Sequence, residues 1–251
     1  MLAQIKTSIL DTLFPIHCMG CQQEGFWLCE ECFSQIETLP FQVCPRCEKL
    51  IIEGGKLCGR CKQLSLKNKD FTLEAVIVSS KYTDGNISKM IHLFKYNFIE
   101  DLKIPLGKIM VAAFINHRIP LPDILIPVPL HKRKIRSRGF NQSELLADFL
   151  SENLAPGMAL PVIKDALKRK KSTLSQMKIK NYRERRENIR GAFTILKPEE
   201  IRRKNILLVD DVATTGATLL ECARILKVAD ARKISAIVIA RQEFKRPRLS
   251  L

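Results

Sequence analysis

An α/β protein, with a mostly parallel sheet flanked by helices and a small cysteine-rich segment in front of it, is what this sequence predicts. Three observations carry that expectation. Beyond Leu66, short β-branched runs alternate with stretches of helical periodicity, the pattern of strands joined by crossover helices. The apolar run 206–209 ends in Asp210 and Asp211, passes through a hydroxyl-rich loop and enters a helical stretch, so a buried strand turns directly into a helix N-terminus. Before Leu66, eight of the nine cysteines fall as four C-x-x-C pairs.

Residues 1–15 space Ile5, Ile9, Leu10 and Leu13 helically and lack a secretory apolar core, so they read as a short amphipathic helix of a cytoplasmic protein. The pairs that follow are Cys18/Cys21, Cys29/Cys32, Cys44/Cys47 and Cys58/Cys61. Each pair can present two thiolates to one tetrahedral ion, so four pairs predict two four-cysteine structural zinc sites. A cytosolic address argues against disulfides. Sequential sharing, first pair with second and third with fourth, is the simplest arrangement; a crossed one stays open. His17 adjoins Cys18 and reads as an exposed bystander. So short a segment needs metal to fold. We place it in an N-terminal domain, 1–66, ahead of an α/β domain, 67–251.

In that second domain, 71–79 alternates and is β-branched, a strand. Residues 86–98 form a helix with Ile87, Met90, Ile91 and Phe94 on one face, and 104–117 form another. The run 124–128 is a short buried strand and 141–153 a helix. Strands at 205–210 and 234–240 flank a helix at 219–228, where Cys222 reads as core packing. No run of eighteen apolar residues exists, so no membrane span is expected.

The turn after Asp211 carries chemistry. Free N–H groups at a helix N-terminus bind phosphate, and the hydroxyls of Thr214, Thr215 and Thr218 can join them. Two carboxylates beside such a cradle suit ribose hydroxyls, or the magnesium that accompanies a diphosphate. The stretch 206–218 resembles the phosphoribosyl-diphosphate (PRPP) signature of type I phosphoribosyltransferases. A nucleotide-hydrolase strand of the Walker B kind is the rival, but no G-x-x-x-x-G-K-[ST] accompanies it.

Charge is distributed unevenly. The formal net charge is +16; six cations against seven acids give residues 1–66 a charge of −1, which leaves +17 for the rest. Phosphate attraction therefore belongs to the second domain, and the cysteine-rich segment looks like a structural or protein-docking module. Lys132, Arg133, Lys134, Arg136 and Arg138 make a basic loop after the strand at 124–128, placed to hold a diphosphate. A second basic stretch, 164–190, has eleven cations and three acids, more than one small anion needs. Single-stranded DNA tracks along such grooves. Arg136, Arg138, Lys168, Arg169, Lys170, Lys171, Arg183, Arg185 and Arg186 are the DNA-binding residues this predicts, with Phe140, Tyr182 and Phe193 as available stacking rings.

The four cysteine pairs, Pro127-Val128-Pro129, Arg138-Gly139-Phe140-Asn141-Gln142, Arg185 to Asn188, and the signature over 209–218 together resemble the ComF family of bacterial natural competence. The resemblance covers nearly the whole chain. It implies a double zinc ribbon followed by a type I phosphoribosyltransferase fold, and a role in handling incoming single-stranded DNA at or near the cytoplasmic face of the inner membrane. It further implies that Asp210 and Asp211 meet the ribose and that Ala213, Thr214, Thr215, Gly216, Ala217 and Thr218 hold the 5′-phosphate. Val128, Pro129, Leu130, His131, Lys132 and Arg133 would form the pyrophosphate loop, and 168–180 a mobile loop. Oxopurine salvage enzymes place a basic Asp where this chain has Thr214, and threonine is no general base near neutral pH. A 6-oxopurine substrate is therefore not expected. A metabolic phosphoribosyltransferase acting on a base or amine, and a PRPP-sensing regulator, stay open beside the DNA-uptake reading.

Overall fold

The computed structural model describes residues 15–39, 42–44, 50, 51, 58, 59, 61, 63, 72–171, 182–214 and 216–241. The helix expected over 1–15, Cys47, Thr215 and most of the loop at 168–180 lie outside them.

A short helix, α1 (Glu30–Ser34), carries Cys32 of the second cysteine pair, and Cys29 of that pair caps its N-terminus. Two short strands come next, β1 (Gln42–Val43) and β2 (Leu50–Ile51). The expected strand at 71–79 appears as β3 (Ala75–Lys81). Helix α2 (Gly85–Tyr96) is capped by Asp84, whose carboxylate accepts from the N–H groups of Asn86 and Ile87. It buries the predicted Ile87, Met90, Ile91 and Phe94. Helix α3 (Lys103–Asn116) and strand β4 (Ile124–Pro127) follow.

The basic segment after β4 is not a loop. Lys132–Arg138 forms a two-turn helix, α4, capped by His131, whose Nδ1 accepts from the Arg133 N–H at 3.3 Å. The cap satisfies a backbone donor that the charge pattern alone does not reveal. Helix α5 (Gln142–Asn153) comes next. Strands β5 (Leu167–Arg169) and β6 (Phe193–Ile195) pair antiparallel as a separate two-stranded sheet, with helix α6 (Tyr182–Ile189) between them. A single turn, α7 (Pro198–Ile201), precedes β7 (Asn205–Ala213). The last elements are α8 (Ala217–Val228) and β8 (Lys233–Arg241).

The main sheet runs β2-β1-β3-β8-β7-β4. Its four longer strands, β3, β8, β7 and β4, are mutually parallel, while β1 and β2 add antiparallel to the β3 edge. The parallel strands are buried on both faces, which is why Ile206–Val209 reads as an unbroken apolar run. Ile87, Phe94, Leu106, Met110 and Leu146 from α2, α3 and α5 cover one face. Leu219, Cys222 and Leu226 of α8, with Phe193, Ile189 and Ile201, cover the other. Cys222 is fully buried there, as its helical spacing predicted.

Candidate functional site

The two acids of the signature lie inside β7, not beyond its end. Sequence placed the end of that strand at residue 210; pairing with β8 continues through Val212↔Ala240 and Ala213↔Arg241. On the other side, β4 stops pairing at Pro127↔Val209. Asp210 and Asp211 therefore stand where one neighbouring strand has ended and the other continues. The carboxyl edge of an open α/β sheet is where such a fold forms its ligand crevice.

Helix α5 closes one wall of it. Asn141 caps α5 by accepting from the Ser143 N–H, and its Nδ2 donates to the Val128 carbonyl at 3.2 Å and to Glu144 at 2.9 Å. One buried side chain thus ties the start of α5 to the end of β4. The next turn brings Ser143 Oγ to Asp210 Oδ1, 3.0 Å away. Asp210 Oδ1 also accepts the Asp211 N–H at 2.9 Å. Burial first, then the Asp211 carboxylate, pushes the Asp210 carboxyl up to about 7.

Four cations converge on the acid pair. Lys95 Nζ, from the last turn of α2, lies 3.0 Å from Asp211 Oδ2, and Arg138 Nη1 lies 4.0 Å from the same oxygen. Lys134 of α4 is held below its usual pKa by burial and by Arg169 and Arg138. Arg169 of β5 lies over the Phe193 ring at 5.4 Å and feels Asp210. Two acids among four cations leave a positive excess, suited to a ligand with several phosphate charges.

The turn into α8 completes the crevice. Gly216 caps the helix with φ of +64°, a left-handed conformation that costs glycine little and bulkier residues more. The Thr214 carbonyl accepts from Arg241 Nε at 3.4 Å, which fixes the turn to β8. Val128 and Pro129 are buried, so they can offer a ligand only backbone; Lys132 and Arg133 are exposed.

The remaining predicted residues divide. Arg136, Lys168, Lys170 and Lys171 are exposed on the rim, while Arg138 and Arg169 are partly covered and turned toward the acids. Nothing is described of the side chains of Arg183, Arg185 and Arg186. Of the expected stacking rings, Phe193 is core and Phe140 packs on Phe94 with centroids 5.5 Å apart. Sequence reasoning did not assign Lys95, Lys134, Asn141 or Ser143 individual roles. A polar residue followed by helical periodicity flags Asn141 as a cap, but no local signal links Lys95 to Asp211.

In the N-terminal segment, the Sγ atoms of Cys18, Cys21, Cys29 and Cys32 lie within 4.8 Å of one another, and so do those of Cys44, Cys58 and Cys61. First pair meets second, and Cys44 of the third pair meets both residues of the fourth, which is the sequential arrangement. His17 is outside both groups and faces Glu24 at 3.7 Å. Burial opposes ionisation of Cys18, but the N–H groups of Cys21, Cys29 and Gly20 outweigh it and bring its thiol down to about 6. Burial and the neighbouring sulfurs push Cys32 up to about 12. Four clustered thiols cannot all ionise without a cation between them, so this donor set fits a tetrahedral thiophilic metal.

Fold and site define a phosphoribosyltransferase-type domain joined to a cysteine ribbon module. The chain matches the phosphoribosyl transferase domain family over residues 141–249 and the double zinc ribbon domain family over residues 9–62. It is 30% identical over 234 residues to competence protein F of Haemophilus influenzae, covering 90% of this chain and 96% of that protein. It is 29% identical over 207 residues to DNA utilization protein YhgH of Escherichia coli K12, covering 80% of this chain and 85% of the relative. With competence protein ComFC of Bacillus subtilis it shares 24% identity over 216 residues, 85% of this chain and 84% of the relative. The chain belongs to the ComF family. Among the described residues no helix is long and apolar enough to cross a membrane.

Proposed function

We propose that the protein binds PRPP, or a related ribose phosphate, in the crevice between β4 and β7, and handles single-stranded DNA during uptake in natural competence. The observation that carries the reading is the acid pair, Asp210 and Asp211, beside the Gly216 cap of α8 and surrounded by Lys95, Lys134, Arg138 and Arg169. The turn 213–218 takes the 5′-phosphate, where backbone N–H groups at a helix start suit an anion. The two carboxylates take the ribose hydroxyls or the magnesium that comes with PRPP; magnesium would screen the diphosphate charge.

The rim of exposed cations, Arg136, Lys168, Lys170 and Lys171, offers the DNA backbone its electrostatic attraction. The cysteine groups hold two structural zinc ions, and the ribbons serve as the docking module for other proteins of the uptake machinery. The protein works in the cytoplasm, at the periphery of the inner membrane. Named relatives in competence and DNA utilization support this setting.

Isothermal titration of the zinc-loaded protein with PRPP and magnesium tests the crevice. Saturable binding that is lost in Asp210→Asn/Asp211→Asn is the expected result; no heat from the folded wild type would overturn the reading. PRPP turnover with a base or amine in the absence of DNA would instead favour a metabolic transferase.

A further inference from the structure

Helix α2 presents an unusual outer face. Lys89, His92, Leu93 and Tyr96 recur at helical spacing opposite the buried Ile87, Met90, Ile91 and Phe94. The helix carries Lys89 and Lys95 and no acidic residue. Along its middle, Lys89, His92 and Leu93 line a shallow groove whose other wall is Met19 and Gln22 of the first cysteine ribbon. At its end, Tyr96 is 52% exposed and Phe98 58% exposed.

These rings are placed, not merely left over. The His92 and Tyr96 rings lie 4.9 Å apart, and the Arg138 guanidinium sits 5.4 Å from the Tyr96 centroid. Phe98 holds a left-handed φ of +58°, uncommon for an aromatic residue, and its ring approaches Gly139 so closely that a Cβ there would lie 2.8 Å from Phe98 Cδ1. Arg138 reaches back to Asp211. The face therefore runs continuously from the ribbon groove, past His92 and Tyr96, to the acid-lined crevice. From Lys89 to Tyr96 it spans about 10 Å, at the rise of an α-helix.

Alternating flat rings and cations, free of acids, are what a single strand with unstacked bases requires. We propose that this face of α2, with the ribbon groove, is a base-stacking track that leads single-stranded DNA to the crevice. The proposal rests on the single-stranded DNA reading above and gives it a location distinct from the rim of Arg136, Lys168, Lys170 and Lys171. Stacking on Tyr96 and Phe98 holds bases without regard to sequence, while Lys89 attracts the backbone.

The test is fluorescence anisotropy with labelled oligo(dT) on the full zinc-loaded chain. Tyr96→Ala is expected to weaken binding roughly 5- to 150-fold, the range for losing one stacked base. Tyr96→Phe, which keeps the ring, should bind like wild type, and Phe98→Ala and His92→Ala should each weaken binding. The salt slope should not move in Tyr96→Ala, since no phosphate contact is removed. An unchanged thermal midpoint for Tyr96→Ala shows that the half-exposed ring is not a folding requirement. If the folded alanine variants all bind oligo(dT) as tightly as wild type, the track is wrong while DNA binding stands. If wild type itself fails to bind oligo(dT) at low salt, the DNA reading and the track fall together. If Tyr96→Ala loses a free nucleobase but not the oligonucleotide, the ring serves a small acceptor and the track is overturned.

Discussion

Lys95 Nζ and Asp211 Oδ2 are 3.0 Å apart, joining the last turn of α2 to the middle of β7 across 116 positions of chain. Both side chains are largely covered, 16% and 11% exposed. Such a pair is costly to break from one side, because the survivor remains a covered charge with a poorer partner. Arg138 Nη1, at 4.0 Å from the same oxygen, is a more distant partner. Lys95→Met should therefore lower stability by about 3 kcal/mol. The double variant Lys95→Met/Asp211→Asn should recover part of that loss. Urea denaturation of the four proteins closes the cycle, and strictly additive losses would mean that the pair does not interact.

Asp210 gives a pH dependence of definite sign. Its carboxyl titrates near 7 in the folded chain, against 3.8 ordinarily, because burial and Asp211 disfavour its charge. The folded state holds that proton more tightly than the unfolded state. The resulting stability is complete below about pH 4, falls as pH rises, and is gone above about pH 7. Asp210→Asn should remove this slope, and denaturation midpoints from pH 4 to 8 would reveal it. If the proposed crevice takes magnesium with PRPP through the charged carboxylate, affinity should rise through the same window.

Much of this fold is legible in the residues. Ile206–Val209 and the predicted face of α2 announce a doubly covered strand and a one-sided helix by period alone, and the structure keeps both. The end of β7 is misread because an acid pair looks like a strand's stop, whereas continued pairing with β8 carries it three residues further. The run 132–138 reads as a loop because a two-turn helix made almost wholly of cations has no apolar stripe; its cap on His131 decides the matter. At the site, signature residues show themselves in one contiguous stretch. Lys95, Lys134 and Ser143 do not, since each reaches the acids only through tertiary packing of α2, α4 and α5. For Phe193 the sequence leaves a stacking ring and a core residue both open, because a single aromatic in a strand cannot declare which way it points; here it faces the core.

Gly20 tests the first metal site by shape. A Cβ at that position would lie 2.5 Å from Cys32 Sγ, closer than a real Cβ sits, and 3.0 Å from the Cys32 Cβ. Gly20→Ala should therefore disturb one thiolate of the first group while leaving Cys44, Cys58 and Cys61 untouched. Metal analysis should fall from about two zinc ions per chain to about one, as it should for Cys32→Ser, given one ion for each set of four ligands. Retention of both ions by Gly20→Ala would mean that the cysteine knuckle is looser than its packing indicates.

The salt dependence of DNA binding separates the cation rim from the rings. Lys168, Lys170 and Lys171 are exposed beside the crevice, whereas Arg169 between them lies over Phe193 and turns toward Asp210. Of these four, it is the three lysines that stand in solution to meet phosphates. For a single strand, each neutralised phosphate contributes a slope of about 0.7 in log affinity against log salt. Lys168→Ala/Lys170→Ala/Lys171→Ala should therefore flatten the slope by about 2 if all three make contact, and weaken binding without regard to sequence. Arg169→Ala should instead cost stability, through the lost ring contact. Glu30→Ala and Glu31→Ala on α1 should leave the slope nearly unchanged, because the ribbon is not where the positive charge resides. An anisotropy series at increasing salt measures all of these slopes. If the triple lysine variant keeps the wild-type slope while removal of ribbon residues flattens it, the phosphate contacts belong to the ribbons.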